Sequence, residues 1–337
     1  MLDSTRINRK IKQLRENKNL TQSELADMLG IKEITLQGFE RGNNMPDISK
    51  LPILMEIFDV SLEEIIGDEL GIEIIKSFIN DDFDNYKNSH EITSSEFVNI
   101  APILKPNQVD MVLDVLTVPL SKEELSMVAP FIKTQRLDKI AEDMYNENGL
   151  NDITFIAPFI SYDLTNKCAK IEFEKRGLNA LTSMAPFISR DVINECAKVE
   201  FEKSGLNALT SMAPFISKEI INECAEESAA KSGLRSLTSM APFIGKEMIN
   251  ECAMVEFKKS GLNALTSMAP FISKEIINEC AIYSYEKNGI KGLSSMAPFI
   301  SKDVLNEIAK KAVKEHGSNS ISSIMPFIDI ASFTDKN

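Results

Sequence analysis

Residues 211–219 read SMAPFISKE, and the same nonapeptide returns unchanged at 267–275. Aligned on APFI, its alanine falls at Ala129, Ala157, Ala185, Ala213, Ala241, Ala269 and Ala297, one every 28 residues. APIL at Ala101 and MPFI at Met325 extend the register to nine copies. Units beginning at Gly177, Gly205, Gly233 and Gly261 are nearly identical, and the outer ones diverge. Inner units that pack on copies of themselves, with altered terminal units covering the apolar ends, are the pattern of a solenoid.

Each unit reads as a pair of helices. In the unit from Gly177, a helix A starting near Leu178 places Leu178, Leu181, Met184, Ala185 and Ile188 at three- and four-residue spacings. Pro186 kinks or ends it. Ser189 is then expected to cap a helix B that buries Val192, Ile193, Cys196, Ala197 and Phe201 and stops at Gly205. No stretch alternates with the period of a strand, so the fold class is all-α.

Two ladders run along helix B. All five cysteines, Cys168, Cys196, Cys224, Cys252 and Cys280, share one position. Helices stack about 10 Å apart, beyond disulfide reach, and Ile140 and Ile308 occupy the same rung, so a small buried packing residue is expected there. The second ladder is Asn166, Asn194, Asn222, Asn250, Asn278 and Asn306. It suits either hydrogen bonding between units or a row of amides holding an extended peptide partner. Lys198, Glu226, Met254 and Ile282 vary most between inner units and mark the outer surface of B.

Outside the register, residues 6–67 follow another plan. Residues 6–18 carry Arg6, Arg9, Lys10, Lys12, Arg15 and Lys18 against Glu16 alone. Over residues 1–67 nine basic and eleven acidic side chains balance at −2, which leaves −11 of the chain's −13 to the rest. A phosphate-binding surface must therefore be local and N-terminal. A basic amphipathic helix with Ile7, Ile11 and Leu14 precedes LTQSELADMLGIKEITLQGFERG. Thr21 with Glu24 forms a capping box for a helix burying Leu25, Met28 and Leu29. Gly30 supplies a tight turn, and a second helix carries Ile31, Ile34 or Thr35, Leu36 and Phe39.

LTQSELADMLGI, FERG and PDISKLPILMEIFDVSLEEIIG together resemble the Cro/CI-like (XRE) helix-turn-helix family over about a fifth of the chain. The resemblance implies a five-helix, lambda-repressor-like domain acting as a homodimer on double-stranded DNA. Gln22, Gly30, Glu40 and Gly42 match the family's positions. Carried over residue by residue, Gln22 and the backbone beside Arg41 and Asn43 touch phosphates, and Lys32, Glu33, Thr35 and Gln37 face base edges. Glu33 would accept from a cytosine amino group and Gln37 would pair with adenine. Lys32, Gln37 and Gly38 depart from the family's habit, and Gly38 weakens the helix by about 1 kcal/mol relative to alanine.

The expected domains are a helix-turn-helix domain over 1–67, a linker over 68–92 and helical repeats over 93–337. NDDFDNYKNSHE at 80–91 reads as a polar hinge, after a short helix over 69–78; it lacks the alternating ligands and central glycine of a calcium loop. No run suits a membrane span and the start lacks a signal-peptide apolar core, so a cytoplasmic chain is expected. With two histidines, no tryptophan and no glycine-rich phosphate loop, no catalytic, metal or cofactor site is expected. The layout is similar to peptide-responsive regulators that join this domain to tetratricopeptide repeats, though those run to about 34 residues. The expected function is a transcriptional regulator, a repressor, whose repeats oligomerise or sense an effector or partner. The alternative is an antitoxin- or adaptor-like interaction module with DNA binding secondary.

Overall fold

The computed structural model describes residues 2–67 and 69–329, all helical apart from turns and one isolated parallel bridge between Ile92 and Leu116. The chain forms two compact units, Met1–Leu164 and Thr165–Asn337.

The first unit opens with five helices: α1 (Ser4–Asn17), α2 (Gln22–Leu29), α3 (Glu33–Arg41), α4 (Leu51–Phe58) and α5 (Leu62–Ile66). Ile7, Ile11, Leu25, Leu29, Leu36, Leu51, Leu54, Ile65 and Ile66 are fully buried among them. Beyond α5, the described residues of the segment expected to link are largely helical. α6 (Ile72–Ile79) and α7 (Phe83–Ser89) occupy the segment expected to link, and Phe83 is buried with its ring stacked on Phe78 at 4.1 Å. The acids of 80–91 are exposed, Asp84 on α7 and Asp81, Asp82 and Glu91 on its flanks, while the buried Phe83 anchors the segment. α8 (Ser94–Ile100) closes the segment onto the N-terminus: Asn99 Nδ2 donates to the Leu70 carbonyl at 2.7 Å, and the Leu2 N–H donates to the Asn99 carbonyl at 3.0 Å. Lys76 bridges to Glu63 at 2.6 Å. α9 (Pro106–Leu113), α10 (Lys122–Val128) and α11 (Thr134–Asn148) complete the unit's helices before α12 (Tyr162–Arg176), in which the division falls.

The second unit repeats one module. α13 (Arg190–Ser204), α14 (Lys218–Ser232), α15 (Lys246–Ser260), α16 (Lys274–Asn288) and α17 (Lys302–His316) are each fifteen residues long. Ala197, Ala225, Ala253, Ala281 and Ala309 are wholly buried, one per helix, which lets neighbouring backbones approach. Helix A differs from its expected form. Leu178, Leu181, Met184, Ala185 and Ile188 are all buried, but the segment is two 3-10 turns, Leu178–Leu181 and Ala185–Phe187. Its bonds run to the third residue back, as from the Met184 N–H to the Leu181 carbonyl at 3.0 Å. α8 and α10 show the reason, since both occupy the helix A position as α-helices and both start at a capping box, Thr93 with Glu96 and Ser121 with Glu124. Inner units enter segment A directly from the glycine ending helix B, with no cap to organise the first α turn.

Cys196, Cys224 and Cys280 are buried, and burial, with the charge of the preceding glutamate, pushes each thiol up to about 11. Cys252 is the most accessible of the five. Alkylation of the folded chain near pH 8 is therefore expected to label Cys252 first and to leave Cys196, Cys224 and Cys280 unlabelled until denaturant is added. Peptide mass mapping of labelled sites checks this.

Candidate nucleic-acid interface

α2 and α3 meet at a turn whose chemistry is local. Thr21 Oγ1 accepts the Glu24 N–H at 3.2 Å, and the Glu24 carboxylate accepts the Thr21 N–H at 2.7 Å. Gly30 ends α2 in the left-handed region (φ 64°, ψ 38°), and the Ile31 N–H returns to the Ala26 carbonyl at 3.0 Å. Gly42 ends α3 in the same way (φ 83°), with the Asn43 N–H on the Gly38 carbonyl at 2.9 Å. Lys50 Nζ donates to the Leu29 carbonyl at 2.9 Å, placing a cation at the negative end of α2.

A buried ion pair ties α1 to α3, and Gln22 joins α2 to the same carboxylate. Arg15 on α1 donates through Nε to Glu40 Oε1 at 2.5 Å and through a terminal nitrogen to Oε2 at 3.0 Å. Its other terminal nitrogen donates to the Leu20 carbonyl at 2.7 Å, and Gln22 Nε2 donates to Glu40 Oε2 at 2.7 Å. The Glu40 side chain is 3% exposed. Burial, the largest influence, pushes its carboxyl up, but hydrogen bonds from Arg15 and Gln22 and the charges of Arg15 and Lys12 outweigh it and hold the group below its ordinary value. The hydrogen bond to Glu40 raises Arg15 in turn.

Lys32, Glu33, Ile34, Arg41 and Asn43 are exposed, and Thr35 and Gln37 are half-buried. Lys32 occupies the cap position of α3 without a capping side chain. Gln37 Nε2 donates to Glu33 Oε1 at 3.1 Å, so the two residues expected to face different bases hold one another one turn apart. Gln22, expected on a phosphate, directs its amide nitrogen to Glu40. Of the basic side chains on α1, Arg15 is committed to Glu40, while Arg6 donates to the Ile66 carbonyl and pairs with Glu69 at 2.8 Å.

Met28, expected in the core, lies outside, and of the alternatives Ile34 and Thr35 it is Thr35 that turns inward. Met28 is 50% and Ile34 66% exposed. Ile34 stands two residues, about 200° of helix, from Leu36, and that offset was the signal available in the sequence. Ile34 therefore joins Lys32, Glu33 and Gln37 on the open surface of α3. Gly38 also acquires a reason: a Cβ there would come within 2.8 Å of Asn44 Oδ1, so glycine lets the Asn44 side chain lie against α3.

The asparagine ladder is placed between repeats. Oδ1 of Asn194, Asn222, Asn250 and Asn278 accepts the backbone N–H of Ser217, Gly245, Ser273 and Ser301, at 2.8–2.9 Å. Asn166 does the same for Ser189, and Asn306 for Asp329. The cap serines make no side-chain capping bond. A second ladder, unnoticed in the sequence, joins Ser211 to Asn179, Ser239 to Asn207 and Ser295 to Asn263, and lapses where Arg235 replaces the asparagine.

Residues 11–65 match the helix-turn-helix family, and the N-terminal helices are a helix-turn-helix domain of the XRE type. The chain is 36% identical over 64 residues to the HTH-type transcriptional activator BcrR of Enterococcus faecalis, which covers 19% of this chain and 31% of that protein. It is 35% identical over 60 residues to the HTH-type transcriptional regulator AnsR of Bacillus subtilis, 18% of this chain and 52% of that one. Over 58 residues it is 36% identical to the uncharacterized HTH-type transcriptional regulator YobD of Bacillus subtilis, 17% and 52% of the two chains. The chain thus spans 31% to 52% of the length of these curated relatives. No solved structure matches. Among the described residues no helix is long and apolar enough to cross a membrane.

Proposed function

We propose that the chain is a sequence-specific DNA-binding transcriptional regulator, a repressor that works as a homodimer on paired half-sites and uses its repeats to bind an effector or partner. The observation that carries the reading is the open face at the start of α3, where Lys32, Glu33 and Ile34 are exposed with Gln37 half-buried beside them, on a helix tied to α1 by Arg15 and Glu40. The relatives' named roles support a part in transcription; repression is the proposal's own step, since BcrR is named as an activator. A bound partner would act by changing how two N-terminal domains are held on their half-sites.

Selection of genomic fragments by the full chain at near-physiological salt, followed by sequencing, tests the proposal. An inverted, paired motif is the expected result. Retention that follows only salt and fragment length, with no motif, would reject sequence-specific binding.

Ile34 adds a base-level expectation. An exposed branched aliphatic beside polar readers suits the C5-methyl of thymine, and burying one methyl contributes about 0.8 kcal/mol, roughly fourfold in affinity. Replacing the thymines of the selected half-site one at a time with uracil is expected to weaken binding by about that factor at one position. The Ile34→Ala variant should lose this sensitivity. Equal uracil sensitivity in both proteins would remove Ile34 from the readout.

A further inference from the structure

The outer faces of the repeat helices are stapled by a recurring ion pair. Lys170 Nζ lies 2.7 Å from Glu195, and Lys198 Nζ lies 2.8 Å from Glu223. The next rungs replace the lysine, so that Glu226 stands in register with Glu251 and Met254 with Glu279. At the second of these rungs, between α15 and α16, the surface opens into a cleft of about 460 Å3. Met254, Phe257 and Tyr283 line it, and Cys280, buried and 3.7 Å from Met254 Sδ, lines it from the α16 side. Phe257 meets Tyr283 edge-on, 5.8 Å between ring centres. The corresponding Phe173 and Phe201 are buried, whereas Phe257 is only half-buried. Val255, Ile282 and Tyr283 are 68%, 43% and 57% exposed, and with Met325 they are the exposed large apolar side chains among the described residues of the second unit.

The charge at the cleft is reversed as well. Lys258 stands where three sister helices carry Glu174, Glu202 and Glu286. Lys258, Lys259 and Lys287 line the opening against one carboxylate, Glu279. All three are exposed, and none has an ion-pair partner within 4.0 Å among the described residues. In a chain of net charge −13, the staple lysine is also replaced at Glu226 and Ile282 and a lysine also stands at Lys314 of α17, but among α12–α17 only α15 combines loss of the staple lysine with a lysine at the Lys258 position. A hollow of this size, apolar within and cationic at its opening, has the form of a binding pocket with a stated electrostatic preference.

We propose that the α15–α16 cleft is the partner site of the repeats, and that its occupant is an acidic segment of another protein. The segment inserts an aromatic or large aliphatic side chain beside Met254, Phe257 and Tyr283 and sets aspartates or glutamates against Lys258, Lys259 and Lys287. The inference rests on the reading of the repeats as a partner surface and is independent of operator binding.

The test uses the full chain and a variant already written into the fold. Met254→Lys restores the residue of Lys170 and Lys198 opposite Glu279, so it closes the cleft with an ion pair that two neighbouring interfaces tolerate. A random peptide library displayed on phage is selected on the unaltered chain, and the enriched peptides are synthesised and titrated. Peptides with an apolar anchor flanked by carboxylates are expected, with affinity reduced on the order of tenfold by Met254→Lys and by Lys258→Glu, and falling with salt. No enrichment, enriched peptides without acidic residues, or equal affinity for the variants would overturn the proposal. So would a dimer seen by sedimentation that dissociates in Met254→Lys, which would assign the cleft to a second copy of the chain. Retention of genomic DNA is measured on the same preparations, so failure of the DNA reading registers separately.

Discussion

Replacing Glu40 with alanine is expected to destabilise the helix-turn-helix region by about 3–5 kcal/mol, the cost of leaving one member of a buried pair uncompensated. Arg15 would keep the Leu20 carbonyl at 2.7 Å and Glu16 at 3.7 Å, and lose both bonds to the carboxylate that neutralises it. Gln22 would lose its acceptor in the same step. Native domains are stable by only about 5–15 kcal/mol, so a loss of this size removes a large share of the region's stability. Amide hydrogen exchange on the full chain reads the effect locally. Protection across α1, α2 and α3 should fall by roughly a hundredfold or more, while α14–α16 remain unchanged. A drop of less than tenfold in α1–α3 would show that the pair holds orientation without holding stability.

The sign of the pH dependence follows from the same contacts. Glu40 is held below its ordinary value when folded, so its stabilisation is fully present above the unfolded carboxylate value of about 4.3 and is lost as pH falls through the lower folded value. Glu40→Gln should show a flatter acid limb in exchange experiments than the unaltered chain. It retains a neutral acceptor for one of the Arg15 bonds, so its loss at neutral pH should lie between those of the unaltered chain and Glu40→Ala.

Residue spacing revealed what depends on neighbours in sequence. The Thr21–Glu24 capping box, the Gly30 turn and the buried stripe of the repeats are short-range patterns, and each appears in the structure. The Arg15–Glu40 pair joins residues 25 apart, and no local period reveals which of six basic side chains in 6–18 turns inward. The choice between Ile34 and Thr35 stays open in the sequence because α3 is nine residues long, too short for a stripe to separate cleanly from its flanks. The segment over 80–91 was weighed by its acids, whereas Phe83 decides its packing. Segment A was legible as a buried face but not as 3-10 structure, because three- and four-residue spacings do not distinguish the two hydrogen-bond patterns. The lysine staple became visible only once distances joined Lys170 to Glu195; its replacement by Met254 then marked a site that repeat comparison had shown only as a variable surface position.

The asparagine ladder supports the second large effect. Asn222 and Asn250 each supply Oδ1 to a buried residue's backbone N–H, on Gly245 and Ser273, at 2.8 and 2.9 Å. Removing the acceptor strands a buried donor, which costs about 1–3 kcal/mol each time. The two sites share no partner, and repeat arrays add their interface terms, so Asn222→Ala with Asn250→Ala together should cost roughly 2–6 kcal/mol. Exchange protection should fall along α14, α15 and α16 and stay unchanged in α1–α3. Asn250→Asp separates the atoms of the amide, because it keeps an oxygen at the Oδ1 position and removes the Nδ2 donor. If the ladder acts by joining units, the aspartate variant retains most of the protection that alanine loses. If the amides instead hold a partner's backbone, alanine shifts stability by less than about 0.5 kcal/mol, and both variants weaken binding of peptides recovered on the full chain. The six bonds from Asn166 to Asn306 repeat one geometry at every interface they reach, and a contact required for each unit to seat on the next must be present in every copy. A binding groove needs its donors only where the partner lies, which is the pattern of Met254 and Lys258 and not of the asparagines.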